Sequence, residues 1–499
     1  MPFSDNHHLK QIIRPLNVQQ TTHRTMTRQF ALTLIGLLTA VASLSAQAKE
    51  IRILPQQHQQ IEGWGVSLCW WASMVGHWDD ARIDSLITCL TDPQQQNMNI
   101  FRYNIGGGDD PSHTDGHMVK GKGKRAEMEG FKASEKSPYN WDADAGQRKI
   151  LLKIKEKRPD AIFEAFSNSA PYWMTISGCA GGNNPANTDN LKPEYYEMFC
   201  DYLIDVCLHY KERYGITFKT LEPFNESTSD YWGYLGSQEG CHFDAESQIK
   251  LLRILYPKLK ASGLNTVISA SDETNLISAI RVAKAYTQAD DIYEKIGQFN
   301  THTYSGTHPQ RKELHEIMAE IQKPFWQSET GPSGGSGFES NLLLAQKLFD
   351  DMRYMKPAAW LDWQWMEEGN DTWCQIRCNF ADQSYQVVKN FYVRMQVTRF
   401  MKQGYHIIES SDDCCLTAIS PDKKEMVVCL LNASDKDSPV CVNLSAFGAV
   451  AKKVSLYRTS QQENCKQLKD ITARKQQIDY TMPAQSITTL IITGKNPLI

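Results

Sequence analysis

No apolar run after residue 50 of this 499-residue chain is long enough to cross a bilayer. No surplus of one charge is present either. The 53 Lys and Arg stand against 57 Asp and Glu, a formal net charge of −4, which argues against nucleic-acid binding through a general basic field. The chain lacks a short repeat, a low-complexity linker and any CxxC pair of the kind that holds zinc or exchanges thiols. It also lacks an HxH or HExxH pattern, and the Gly106–Gly108 triplet is not followed by the Lys-Ser/Thr of a phosphate loop. What remains is a soluble globular protein that calls for no metal, no organic cofactor and no nucleic-acid partner. Disorder beyond the ends is excluded by 12 Trp, 20 Tyr and 18 Phe, bulky residues that favour a packed core. The length suits one large domain and a smaller one.

The first residues serve transport. Phe30 to Leu44 is an apolar run preceded by Arg24 and Arg28 and followed by Ala46-Gln47-Ala48, a small-x-small exit. Basic head, short apolar middle and small exit make a secretory signal. The first cysteine is Cys69, too far on for a lipoprotein anchor, and Met26 is an alternative start. Residues 1–48 are therefore read as a signal peptide and the mature chain as beginning near Lys49, secreted or periplasmic. Export permits disulfides among the 13 cysteines, but they are scattered, with Cys374 and Cys378 four apart and Cys414-Cys415 adjacent. Buried thiols with one or two bridges are the expectation.

Short β-rich runs alternate with helical patterns from Ile61 onward. The β runs are Ile61–Ser67, Met98–Ile105, Ala161–Phe166, Phe218–Phe224, Val267–Ser271, Ile296–Thr303, Pro324–Glu329 and Trp360–Met366. Between them, Ala145–Lys157, Glu194–Arg213, Ala245–Ala261 and Ser340–Met352 space apolar residues by three and four, as helices covering a sheet do. Eight such units predict an α/β fold, a (β/α)8 barrel over residues 61–385. An open doubly wound sheet is the alternative, without the Gly-rich turn it would need after its first strand. After Tyr385 the texture becomes short alternating strands parted by turn residues, predicting an antiparallel β-sandwich over 386–499. Residues 49–60 are expected to add a strand to it.

In a barrel the carboxyl ends of the strands face the functional mouth. Those positions hold Arg102 and Gly106 to Asp110, Asn168 to Trp173, Asn225-Glu226, His302 and Tyr304, Ser328-Glu329-Thr330-Gly331, and Asp362 to Trp365. Two glutamates ringed by aromatics and amides are what glycosidic-bond cleavage needs: one donates a proton to a poor leaving group, the other stabilises charge at the anomeric carbon. Plainer readings stand beside this one. A lone Glu is most often a solvated loop carboxylate. Asp109 among glycines is otherwise a turn residue, Arg102 a structural cation, and Trp70 and Trp71 core.

The segments EGWGVSLCWWA, FRYNIGGGDDP, SNSAPYWM, EPFNES, NTHTY, WQSETG and LDWQW, in that order, resemble glycoside hydrolase family 30, and Cys69-Trp70-Trp71-Ala72 looks most like its endo-β-1,6-galactanase branch. The resemblance spans about residues 55 to 400. It implies a (β/α)8 barrel with a side β-sandwich and a retaining mechanism, Glu226 matching the acid/base and Glu329 the nucleophile. By the same matching, Asn225 binds the sugar 2-hydroxyl, Asp109 holds distal hydroxyls and Trp363 is the platform beneath the ring. Tyr304 matches the phenol beside the nucleophile and Arg102 the cation at the second strand's end. His302, Asn168 and Trp71 complete the expected substrate-binding set. The glucosylceramidase branch carries a Trp near Asn168, which speaks against glucosylceramide, and the xylanase branch's side-group-binding Arg has no counterpart. The sequence is thus read as a secreted, monomeric, retaining β-glycanase on β-1,6-linked galactan, with oligo- or polysaccharide as its partner and no membrane span. The alternatives are a β-1,6-glucanase or exo-glycosidase of the same family, and a non-catalytic carbohydrate binder.

Overall fold

Burial on both faces is what turns short apolar runs into parallel barrel strands. The computed structural model describes residues 48–113, 126–370 and 372–499. The transport segment up to Gln47 lies outside the described residues. Strand β1 is Lys49–Gln60; β2 to β9 are Gly63–Ser67, Ile100–Asn104, Ile162–Phe166, Thr220–Glu222, Val267–Glu273, Ile296–His302, Phe325–Glu329 and Ala359–Asp362. These eight close into a barrel in chain order, all neighbours parallel and β2 sealing against β9 with Gly65 opposite Leu361. Gly65 has to be glycine, because a Cβ there would meet the Ile100 carbonyl oxygen at 2.2 Å. Helices Ala145–Lys157 and Ala245–Ala261 have the bounds expected from periodicity, while Tyr196–Tyr214 and Gly337–Asp350 shift by a few residues. Among the described residues no helix is long and apolar enough to cross a membrane.

Alternate residues of a strand face opposite sides, and this sorts the barrel interior. A small apolar plug of Ile100, Trp326, Ala359 and Leu361 fills its lower part. Two residues on, along β3 and β4, the interior turns ionic with Arg102 and Glu164, paired at 3.0 Å. Phe101 and Phe163, pointing outward, pack into the main core with the helices.

Beyond β9 the chain forms three strands absent from the sequence reading: β10 Met366–Glu368, β11 Ile376–Asn379 and β12 Ser384–Val387, paired in a small sheet. The eighth β run therefore ends at Asp362, and Met366 opens a separate strand. Helix Lys389–Thr398 follows and packs against both helix Gly337–Asp350 and the next sheet, so the change of texture after Tyr385 comes before it. Strands β13 His406–Ser410, β14 Cys415–Ile419, β15 Glu425–Asn432, β16 Ser438–Asn443, β17 Lys453–Thr459, β18 Lys466–Thr472, β19 Gln477–Met482 and β20 Ser486–Thr493 then join β1. Their order is β18-β17-β20-β15-β14-β13-β1-β16-β19. Pairing is antiparallel except between β1 and β16, and β1 reaches both parts by pairing with β13 further along. One face encloses Ile53, Met426, Val428, Val440, Leu490 and Ile492. The opposite face of β15, with Val427, Cys429 and Leu431, joins the barrel's core. That is why β15 is buried almost throughout instead of alternating. No disulfide links cysteines among the described residues, so the expected one or two bridges do not form.

Candidate active site

The ends of β5 and β8 bring Glu226 and Glu329 face to face. Glu226 lies just past β5 with φ at +50° and Asp272, at the end of β6, has φ at +52°, a left-handed conformation uncommon for residues with side chains. Two hydrogen bonds hold the first of these turns: the Glu226 amide donates to the Asp272 carbonyl at 2.8 Å, and Trp232 Nε1 donates to the Glu226 carbonyl at 2.9 Å. Backbone in sparsely populated regions persists where its surroundings over-determine it, often at functional sites.

Arg102, fully buried, fans its guanidinium across three carboxylates: Glu164 at 3.0 Å, Asp272 at 2.5 Å and Glu329 Oε2 at 2.7 Å. Tyr304 donates to the other oxygen, Oε1, at 2.9 Å. His302, also fully buried, places Nδ1 at 3.0 Å from Glu226 Oε1 and 3.6 Å from Glu329 Oε1, with Nε2 at 3.5 Å from Asp272. Burial opposes charge on this ring, but Glu329, Asp272 and Glu226 outweigh it and raise the imidazolium to about 10. Burial likewise works against ionised Asp272, yet Arg102 and His302 hold it below the usual range. Burial pushes the Glu329 carboxyl up, with His302 and Arg102 pulling against it. Carboxylate and imidazole oxygens and nitrogens of Glu226, His302 and Glu329 lie within 4.8 Å of one another.

A cavity of about 300 Å³ opens above the pair, walled by Trp70, Asn168, Asn225, Tyr231, Tyr304, Trp363 and Trp373, with Gln364 and Glu367 among its polar groups. Asn225 is buried with Oδ1 lacking a hydrogen-bond partner among the described residues, an acceptor open to a ligand's hydroxyl. Trp363 meets Trp70 edge-on at 5.1 Å. Trp373, 37% exposed, lies over Gly331, where a Cβ would meet its ring at 2.5 Å.

Of the ten residues singled out from sequence, Glu226, Glu329, Asn225, Asn168, Tyr304 and Trp363 line this cavity. The other four lie elsewhere. Trp71 is 0% exposed, bonds to the Ser67 carbonyl at 2.9 Å and packs on Trp365; it begins a short helix that turns it into the core, and its neighbour Trp70 takes the wall. Arg102 and His302 are buried beneath the cavity, out of a substrate's reach, and act by placing the carboxylates above them. Asp109 is not among the lining residues; it pairs with His113 at 2.9 Å. The glycine run beside it serves packing, since a Cβ on Gly107 would meet the Ala170 carbonyl oxygen at 2.8 Å.

Sequence reading missed Asp272, Tyr231 and Lys347. The end of the fifth β run was not read as part of the mouth, and β6 continues two residues past Ser271 to Glu273. Tyr231 donates to Glu226 Oε2, five residues away in a loop without regular pattern. Lys347, on helix Gly337–Asp350, donates to the carbonyls of Gly331 at 2.8 Å and Tyr304 at 3.3 Å, tying the two loops that flank Glu329. Burial lowers its ammonium to about 8.

A family model described as O-Glycosyl hydrolase family 30 matches residues 48–319, a span that includes Glu226 and ends before Glu329. The chain is 30% identical over 387 residues to an endo-beta-1,6-galactanase of Hypocrea rufa, covering 74% of this chain and 78% of that protein. It is 23% identical to an exo-beta-1,6-galactobiohydrolase of Bifidobacterium longum, covering 86% of this chain but only 38% of that longer protein. Among solved structures, the catalytic domain of GH30 xylanase C from Talaromyces cellulolyticus superposes with a TM-score of 0.68 at 16% identity, over 89% of this chain and all of that one. At that identity the likeness is one of fold.

Proposed function

The chain belongs to glycoside hydrolase family 30, and from that premise we propose that it is a secreted β-glycanase that hydrolyses β-1,6-linked galactan with retention, by double displacement. Glu329 attacks the anomeric carbon while Glu226 gives its proton to the departing oxygen. Water, deprotonated by Glu226, then cleaves the glycosyl-Glu329 ester. One observation carries this reading: oxygens of the two carboxyl groups lie within 4.8 Å of one another. Retaining pairs stand about 5–5.5 Å apart and inverting pairs about 6.5–9.5 Å, the extra gap holding a water. Arg102 and Tyr304 each take one oxygen of Glu329, which orients the nucleophile. Positive charge on His302 favours the anionic form of Glu329, and its Nδ1 sits on Glu226 Oε1, so that Oε2, beside the Tyr231 hydroxyl, is the oxygen that carries the transferable proton.

Galactan as substrate is supported by the activities of the two relatives and by the aromatic walls Trp70, Trp363 and Trp373, which suit the apolar faces of sugar rings. Export is supported by the leader-like residues before Lys49. Product profiling decides among substrates: β-1,6-galactan should be cleaved faster than β-1,6-glucan or xylan, with the β-anomer as first product by NMR. Preference for glucan or xylan would overturn the substrate, and an α-anomer the mechanism. The second relative's exo activity favours one further reading, under which a disaccharide would be the sole early product.

A further inference from the structure

A second cavity, of about 540 Å³, lies on the far side of one wall of the first. Tyr231 and Thr274 line both, and their hydroxyls sit 2.8 Å apart, so the two side chains form a ridge between them. Tyr231 is 50% exposed and its hydroxyl donates to Glu226 Oε2. A general acid has to touch the oxygen that departs, so the Tyr231 hydroxyl occupies the neighbourhood of the leaving oxygen. Whatever is attached to that oxygen must extend past Glu226, toward and over this ridge.

We propose that the ridge and the cavity behind it hold the sugars on the leaving-group side of the scissile bond, so that the protein cleaves inside a β-linked chain. The inference rests on the glycosidase reading above and extends it to the direction and length of the bound chain. The chemistry of the lining fits a neutral polyhydroxylated ligand. It consists mainly of hydroxyls and amides, those of Asn187, Thr228, Ser229, Thr274, Asn275 and Ser278. The charges facing it oppose one another: Asp230 and Asp244 against Arg281 and, when protonated, His242. Several of these groups are already fixed in place. Asp244 caps its helix by accepting from the Ser247 amide at 2.8 Å, Asn275 does the same with Ser278 at 3.1 Å, and Arg281 donates to Thr228 at 2.9 Å. Side chains ordered before binding cost a ligand less to engage, and the exposed ring of Tyr231 adds a stacking face at the entrance.

The test compares kcat/KM on β-1,6-galacto-oligosaccharides lengthened at the reducing end with kcat/KM on an aryl β-galactobioside, whose leaving group stops at the ridge. In the wild type each of the first added sugars should raise kcat/KM, by about tenfold in total. Ser278→Trp and Asn187→Trp, each filling the cavity, should lower the ratio of oligosaccharide to aryl-glycoside activity about tenfold. No gain with length in the wild type overturns the proposal whether or not the variants fold, and so does an unmoved ratio in both folded variants. A wild type that cleaves neither substrate class overturns the glycosidase reading itself, and this inference with it.

Discussion

The barrel mouth and the sandwich are both β-structure with sealed interiors, and they bury opposite chemistry. Between the sandwich faces lie Ile53, Met426, Val428, Val440, Leu490 and Ile492, packed without a charge among them. Beneath the mouth lie Arg102, Glu164, Asp272, His302 and Glu329, nearly all of them fully buried. Burying charge is expensive unless partners and hydrogen bonds compensate, and an apolar set of the same volume would serve stability as well or better. The difference teaches where the fold serves packing and where it serves chemistry. The ionic cluster sits under Glu226 and Glu329, and its two cations donate to them, Arg102 to Glu329 and His302 to Glu226.

The comparison breaks most sharply at Glu329. Glu329→Gln should lower kcat by at least ~10³-fold while leaving substrate affinity nearly unchanged, since it removes the nucleophile and almost no volume. Glu226→Ala should spare aryl glycosides with good leaving groups and respond to added azide. Wild-type turnover in either variant removes the assignment.

Arg102→Met should damage both properties at once. It strips the shared cation from three carboxylates, and breaking a buried ion pair costs about 3–5 kcal/mol, readable by denaturant unfolding. The freed Glu329 also loses its orientation, so kcat should fall. A variant that keeps its stability would mean the cluster is not held by this guanidinium.

Leu490→Ala, in the sandwich, should do the reverse. The side chain is fully buried and its loss should cost about 2–5 kcal/mol with kcat/KM unchanged at temperatures where the protein stays folded. A large loss of specific activity in the folded variant would show that the two regions are coupled.

Alkaline pH sharpens the contrast further. His302 is raised from an ordinary 6.5 to about 10, so the stabilisation its charge provides is fully present below about 6.5 and is lost as pH rises through about 10. Lys347, lowered to about 8, runs the other way: the fold favours its neutral form, so its deprotonation between about 8 and the ordinary 10.5 adds stability as pH rises. Tm should therefore decline most clearly between about pH 6.5 and 8, before Lys347 begins to offset the histidine, and the part of the slope due to the histidine should vanish in His302→Phe. A flat Tm across that range would contradict a charged His302.

Much of this architecture was legible in the sequence, for reasons that differ by region. Parallel barrel strands are buried on both faces, so β3 and β8 stand out as short dense runs, and helices with one apolar face announce their period; Ala145–Lys157 was legible to the residue. The three-stranded excursion Met366–Val387 was not, because its strands are three or four residues long and partly exposed. Glu226 and Glu329 were legible because each ends a β run beside a second polar landmark, Asn225 or Ser328. The side chains around them were harder. Which of Trp70 and Trp71 faces the cavity depends on where a five-residue helix begins, and a sequence leaves that open. Reaching Arg102 and His302 from the sequence placed them at the right strand ends but not at their depth, because only the closed barrel brings Glu164, Asp272 and Glu329 around one guanidinium. Lys347 carries no local signal at all; it matters through carbonyls contributed by two other loops.

The central claim is that Glu329 becomes covalently linked to the sugar, and trapping that intermediate tests it most directly. Incubation with a 2-deoxy-2-fluoro-β-galactosyl fluoride, whose fluorine slows the second step, followed by peptide mass spectrometry, should place one glycosyl group on Glu329, and Glu329→Gln should abolish labelling. Labelling on any other residue, or substrate turnover by a protein that never forms the adduct, would contradict the account.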